Sequence, residues 1–492
     1  AFEAQKIMLG AARRSSEDLR AAMSVENTSG STFAARAGDL SRAQAFLWSA
    51  AGFAAGERLG RGAPGEGTSG FGAAEWLPRA MVIGTVAADL YLGYATLRER
   101  SKWAPNLVGE KDWELQHRRG ATRVLDAAAT LGGTLIKAAQ FASTRPDLLP
   151  TAYTETLSTL QDRVPPQPWS EIEAAISREL GRAISEVFDH VEPEPIAAAS
   201  IAQVHRARLE DGRKVAVKVQ YPQVAGLIEA DLSALERTFA ALASVEPGVR
   251  LQPVADYLRW TLPLELDFRR EAAAIEDLRI AIGDRGDVIV PEVVGELTTG
   301  RLLVMELMEG VRISDRNALL AAGIEPREVA RLLNDAYADQ LFNHNILHAD
   351  PHPGNILVQP GPRLVLLDHG LTLKLEPDFV ATLSKMVRLI REGDFDALTE
   401  DLAEAGLPIN EDTDLDTLLA VVGVLLGTDE SPGGDSALDL GAFGRRLGAS
   451  VGDIPPKLLL IGRAIGLLDG ITRQLDPELD SLEIVGRHTG VS

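Results

Sequence analysis

The 492 residues contain no cysteine, which excludes disulfides, thiolate metal sites and cysteine nucleophiles and leaves the redox compartment open. Positive charge is scarce. Lys and Arg number 49 against 71 Asp and Glu, a net charge of −22. Nucleic-acid binding needs the opposite balance, because phosphate neutralisation demands a basic surface, so nucleic acid is not a general partner. No signal-peptide pattern is visible, and the chain opens at Ala1 rather than Met, which points to processing or an incomplete N-terminus. A long uninterrupted apolar run is missing too. The best stretch, Ala80 to Leu97, is broken by Asp89. It barely reaches the roughly 20 residues a span requires, and a central Asp costs about 2.5 to 3.5 kcal/mol on insertion. It reads as a buried or membrane-surface helix. No internal repeat is present.

What remains is ordinary globular material, 45% apolar and 24% charged, long enough for two or three domains. Residues 1–55 are Ala-rich and read as helix, and 56–72, with repeated Gly and Pro64, reads as linker. From Glu75 to about Asp189 the pattern is helical, with one run from Arg123 to Ala142 and stops at Arg145-Pro146-Asp147, Pro150 and Pro165-Pro166. At Ile196 the texture changes to strands, with a hairpin turn at Asp211-Gly212. Helices follow from Pro222 to about Ile280, then two or three strands between Asp287 and Leu307. Beyond Glu309-Gly310 the chain is mainly helical to about Leu468. The expected division is an N-terminal segment and linker (1–72), a helical extension (73–192), a strand-rich lobe (193–310) and a helical lobe (311–492).

The chemistry concentrates in His348-Ala349-Asp350-Pro351-His352-Pro353-Gly354-Asn355, which returns through an apolar strand to Asp368-His369-Gly370. An Asp and an Asn five residues apart, with a second Asp thirteen further on, is the set that phosphoryl transfer needs. One Asp orients the acceptor or water, and the Asn and the other Asp hold the Mg²⁺ ions that bridge ATP phosphates. The spacing matches the protein-kinase pattern, with Ala349 in place of the usual Arg and His369 in place of the usual Phe. Lys218, in the strand Val215-Ala216-Val217-Lys218, stands about twenty residues after a small-residue loop, Ala197-Ala198-Ala199-Ser200-Ile201-Ala202, and is placed to grip the α and β phosphates. A buried lysine needs a carboxylate to stay charged, and Glu271 is the candidate partner. Leu302 to Gly310 has the look of an inter-lobe hinge, with backbone groups from Glu306 to Met308 facing adenine. No Ala-Pro-Glu segment follows Gly370, so control by activation-loop phosphorylation is not expected.

Four stretches together carry a closer resemblance: Leu135-Ile136-Lys137-Ala138-Ala139-Gln140, Ala197 to Arg208, Glu265-Leu266-Asp267-Phe268, and His348 to Asn355. In order, across roughly Arg79 to Phe395, they resemble the signatures of the UbiB family of atypical kinases, also called the ADCK family. The resemblance implies an α+β, two-lobed protein-kinase-like fold whose glycine-rich loop is replaced by an alanine-rich one, preceded by a helical extension whose K-x-G-Q motif lies over the nucleotide site. Carried over, Lys137 meets Glu265 or Asp267, and Gln140 approaches the loop or phosphates. Ala139 departs from the family Gly. The family further implies ATP binding and a prenylquinone or other membrane lipid as partner at a bacterial, mitochondrial or plastid membrane. Mg²⁺ as cofactor follows from the motif, and a membrane protein complex is a further expected partner. The missing initiator Met together with the family role favours an organelle, mitochondrion slightly ahead of plastid. The first expectation is an atypical kinase or ATPase. The alternatives are a small-molecule phosphotransferase and a non-catalytic, nucleotide-binding assembly subunit.

Overall fold

Proline and glycine place the first breaks in this chain. The computed structural model describes residues 73–143, 149–162, 166–245, 251–283, 285–394, 397–398 and 456–489. The expected helix over 1–55, the linker over 56–72, and the Arg145-Pro146-Asp147 and Pro165 stops fall outside them. Helix α1 covers Ala73–Trp103, α2 Glu110–Leu131, α3 Gly133–Ser143 and α4 Thr151–Ser158. The single run expected from Arg123 to Ala142 is therefore two helices. Its apolar spacing continues across the break, but Gly132 and Gly133 adopt φ of +67° and +50°, a backbone region that side-chain-bearing residues avoid. Next, α5 (Trp169–Leu180) ends at Gly181, φ +67°. Strands then begin earlier than the composition suggested, with β1 at Phe188–Val191.

Two compact units emerge. One holds the described residues of 1–165, 199–201 and 222–262, and the other holds those of 166–198, 202–221 and 263–492. In the first, α1 packs on α2, its Asp89 paired with Arg123 at 2.8 Å. Arg79 reaches Asp231 on α6 (Val224–Val245) through two hydrogen bonds. Phe141 stacks on Tyr257 of α7 (Gln252–Glu265), rings 7° apart. The segment Pro78–Trp103 is long and apolar enough to cross a membrane, with a third of its most apolar window buried.

The second unit contains a sheet ordered β1-β3-β4-β6, with β2 (Ala197–Ala198) on the flank of β3. β3 (Ala202–Leu209) and β4 (Lys214–Gln220) form the hairpin read from Asp211-Gly212, and Gly212 takes φ +90° there. β6 (Leu302–Glu306) pairs with β4 so that Lys218 faces Leu303. Beneath the sheet lies α8 (Phe268–Ile282), capped by the Asp267 carboxylate, which accepts the Arg269 N–H. A second sheet runs β5-β10-β9-β7, from β5 (Val288–Ile289), β7 (Val311–Arg312), β9 (Ile356–Gln359) and β10 (Arg363–Leu366). Short β8 (Ile346–His348) pairs with β11 (Thr372–Lys374). Among the described residues, helices α9 (Arg316–Ala321), α10 (Pro326–Ala338), α11 (Pro377–Glu392), α12 (Pro456–Leu475) and α13 (Ser481–His488) make up the rest of the unit's helical part. The fold is α+β.

Candidate active site

Strand register delivers the motif residues to one place. Within the β9–β10 hairpin Leu366 stands opposite Ile356, and the Leu367 N–H donates to the Asn355 carbonyl at 2.9 Å. Asn355 and Asp368 therefore flank the open end of the same hairpin. Asn355 Nδ2 also donates to the Asp350 carbonyl at 3.3 Å, which joins both ends of the loop. On the other sheet, Lys218 Nζ donates to both Glu271 oxygens, at 2.6 and 2.9 Å, and to Asp368 Oδ2 at 3.1 Å. It lies 5.2 Å from the Phe268 ring centroid, an additional contact of the cation–π kind. The pair named from sequence, Lys218 and Glu271, is thus in direct contact, and Asp368 joins it from the hairpin.

The electrostatics follow from burial and charge. Burial alone would depress the Lys218 ammonium, but the carboxylates of Asp368 and Glu271 outweigh it and hold the group above its ordinary value. Burial pushes Glu271 up, to about 7, with Lys218 pulling the other way. Asp368 keeps an exposed side, its side chain 44% accessible, while its Oδ1 accepts the Gly370 N–H. Below the loop the two histidines pack edge to face, centroids 5.0 Å apart. His348 Nε2 donates to the Asp368 carbonyl, and its Nδ1 accepts the Tyr337 hydroxyl. His369 Nε2 donates to the Leu366 carbonyl. Burial drives His369 down to about 3, so the ring is neutral where protein kinases place a Phe. Ala349 is fully buried.

The remaining sequence candidates are distributed as follows. Ala197 and Ala198 are not loop but a short strand, paired with Val204 and Gln203, and Ala202 opens β3 opposite Gln220. Ala199, Ser200 and Ile201 group with the helical unit, as do Lys137 and Gln140 on α3. Gln140 donates to the Leu160 carbonyl at 3.4 Å, and Ala139 is buried. Glu265 ends α7, whereas Asp267 is committed to capping α8. Glu306 ends β6, its N–H donating to Glu292, and the Leu307 N–H donates to Lys214. Met308 follows, half-buried.

One residue escaped the sequence reading. Arg463 Nη2 of α12 donates to Asp350 Oδ1 at 2.9 Å, from 113 residues further along the chain. Its only signal was a lone cation inside Leu458-Leu459-Leu460-Ile461-Gly462-Arg463-Ala464-Ile465.

The donor set fits Mg²⁺ with a nucleotide. Mg²⁺ takes one or two protein groups and completes its shell with phosphate oxygens and water. Asn355 and Asp368 would supply those groups, and among the described residues no cluster of three or more His, Asp or Glu forms a cage. A cavity of about 690 Å³ elsewhere in this unit, lined by Arg327, Arg331, Asp476, Glu478 and Arg487 among others, contains none of the motif residues.

Comparison with known proteins shows the family. Residues 159–402 match the ABC1 atypical kinase-like domain. The chain is 40% identical over 268 residues to AarF domain-containing protein kinase 1 of Xenopus tropicalis, covering 54% of this chain and 51% of that protein. It is 33% identical over 393 residues to Protein ACTIVITY OF BC1 COMPLEX KINASE 8, chloroplastic, of Arabidopsis thaliana, covering 72% of this chain and 51% of the relative. The chain thus spans about half the length of these curated relatives. Among solved structures, the complex of Rv3197 with erythromycin from Mycobacterium tuberculosis superposes with a TM-score of 0.51 at 28% identity, over 75% of this chain and 94% of that one. With the kinase-like loop, the Lys218 pair and these matches in hand, the chain belongs to the ABC1/AarF family of atypical kinases, also called UbiB or ADCK.

Proposed function

We propose that this protein binds Mg-ATP and transfers or hydrolyses its γ-phosphoryl group in support of membrane prenylquinone metabolism. The observation that carries the reading is the convergence of Lys218, Glu271 and Asp368 from three separate elements. A lysine desolvated between two carboxylates is charged, aimed and ready to exchange one partner for phosphate oxygens. Asp368 and Asn355 are the proposed metal ligands, and bound Mg²⁺ would neutralise charge on the β and γ phosphates. Asp350 is the proposed base that orients the acceptor hydroxyl or water. Because the Glu306 and Leu307 N–H groups are engaged, the Met308 backbone takes the adenine-facing role in the segment Glu306 to Met308. Ala197, Ala198 and Ala202 of the alanine-rich stretch, which belong to the same sheet as Lys218, are the proposed cover over the nucleotide.

The lipid role and the compartment rest on the family and on a relative whose name carries chloroplastic and BC1 complex. On that support we place the protein at an organelle membrane, in contact with a membrane complex. ATP turnover measured with and without vesicles containing a prenylquinone tests the reading. Turnover that rises with vesicles is expected. Nucleotide binding without turnover under either condition would replace the enzyme with an assembly subunit.

A further inference from the structure

We infer that Arg463 is a positioning residue for phosphoryl transfer, acting through the Asp350 carboxylate, and that helix α12 is therefore part of the catalytic apparatus. The inference rests on the function proposed above. Its first support is local. The segment from His348 to Asn355 contains no Lys or Arg, the residue before Asp350 is the buried Ala349, and His352 Nδ1 is turned to the Gly354 N–H. The loop has no cation of its own. Arg463 supplies one, its Nη2 2.9 Å from Asp350 Oδ1, with both side chains largely shielded at 26% and 19% exposure. A guanidinium is planar, permanently charged and weakly hydrated, so it fixes a carboxylate's orientation better than a flexible ammonium does.

The second support is the rigidity of the element that carries it. Helix α12 buries Leu460, Ile461, Ala464 and Leu468. Its Thr472 hydroxyl accepts from Asn334 of α10 at 2.8 Å, and Arg316 donates to the Leu475 carbonyl at 2.8 Å. Arg463 is thus presented from a packed helix tied to the body of the lobe, and it lies beyond residues 159–402, the matched family domain.

The consequence is a division of labour between the two oxygens of Asp350. Oδ1 is held by Arg463, and Oδ2 is left to receive the acceptor's proton. In the step itself the acceptor or water oxygen forms a bond to the γ-phosphorus. The bond from that phosphorus to the β–γ bridging oxygen breaks, ADP leaves with the electron pair, and the acceptor proton passes to Asp350 Oδ2. Without Arg463 the carboxylate rotates away, and chemistry slows while nucleotide binding persists.

The test uses the full chain with Arg463→Ala, Arg463→Lys and Asp350→Asn, reading ATP turnover and stabilisation by Mg-ATP. Arg463→Ala is expected to lose about 100-fold in kcat, the scale of a displaced catalytic group, with KM for ATP and Mg-ATP stabilisation unchanged. Added methylguanidine restores turnover to Arg463→Ala and leaves the wild type unaffected, which a purely structural role would not produce. Arg463→Lys falls between. Wild-type kcat in Arg463→Ala, or a loss confined to KM, or failure of methylguanidine to restore any turnover, overturns the inference. If Arg463→Ala does not fold, Arg463→Lys decides: reduced kcat at constant KM supports the role, and wild-type kcat refutes it. A wild type without turnover, or an Asp350→Asn as active as wild type, instead defeats the proposed function itself.

Discussion

The Lys218–Glu271 contact and the Arg463–Asp350 contact are both cation–carboxylate pairs in one unit, yet their surroundings differ. Glu271 is 5% exposed and Lys218 12%, with a second carboxylate, Asp368, at 3.1 Å. Arg463 and Asp350 are 26% and 19% exposed. Charges as deeply placed as Lys218 and Glu271 survive only as a set, because removing one strands another in low dielectric. The more open pair is held in part by solvent, so its loss should show in rate before it shows in folding. In the proposed function one pair serves stability and phosphate binding, the other the reacting atoms.

The largest expected effect lies at the open pair and is kinetic. Asp350→Asn should lower ATP turnover by about 10²- to 10⁴-fold, the range of a lost general base, with the melting temperature close to wild type. A collapse in stability instead would erase the contrast. Next comes the buried pair. Glu271→Ala should lower stability by about 3 kcal/mol, measured by denaturant unfolding, since only Asp368 then remains to meet Lys218.

A smaller effect is tied to pH and sharpens the account of what lies under the loop. His369 sits at about 3 in the folded protein against about 6.5 unfolded. Between those values the unfolded chain binds the extra proton, so the His369 contribution is complete above about pH 6.5 and is lost as pH falls. By pH 5 that loss is on the order of 2 kcal/mol. His369→Phe should therefore lose about that much less stability than wild type between pH 7 and 5. His348, also depressed by burial, keeps part of the acid sensitivity in both proteins. Equal pH dependence in the two would remove His369 from the account. The smallest effect is in the helical unit. Ala139→Gly should lower stability by about 1 kcal/mol through helix propensity, measured by denaturant unfolding.

The legibility of these regions in the sequence follows the range of the interactions. The loop from His348 to Asp368 is a local hairpin, whose register sets Asn355 beside the chain leading to Asp368, so spacing alone carries its geometry. Lys218 and Glu271 are 53 residues apart but were connected by one physical demand, that a buried ammonium needs a carboxylate. Arg463 answers no spacing rule, because its helix is brought to Asp350 by packing against α10. The Gly132–Gly133 break was hidden for a different reason. The apolar period runs through it and outweighs the Gly132-Gly133 pair, whose positive φ angles make the turn. β1 was read as helix because Phe188-Asp189-His190-Val191 is too short to display an alternation.

In the proposed function Asp368 holds the metal that anchors ATP beside Lys218. Differential scanning of wild type and Asp368→Asn, each with ATP and Mg²⁺, with ATP and a chelator, and without nucleotide, tests it most directly. Wild type should be stabilised by Mg-ATP, and Asp368→Asn should gain nothing from adding Mg²⁺ to ATP. An equal Mg-ATP shift in both proteins would contradict the assignment.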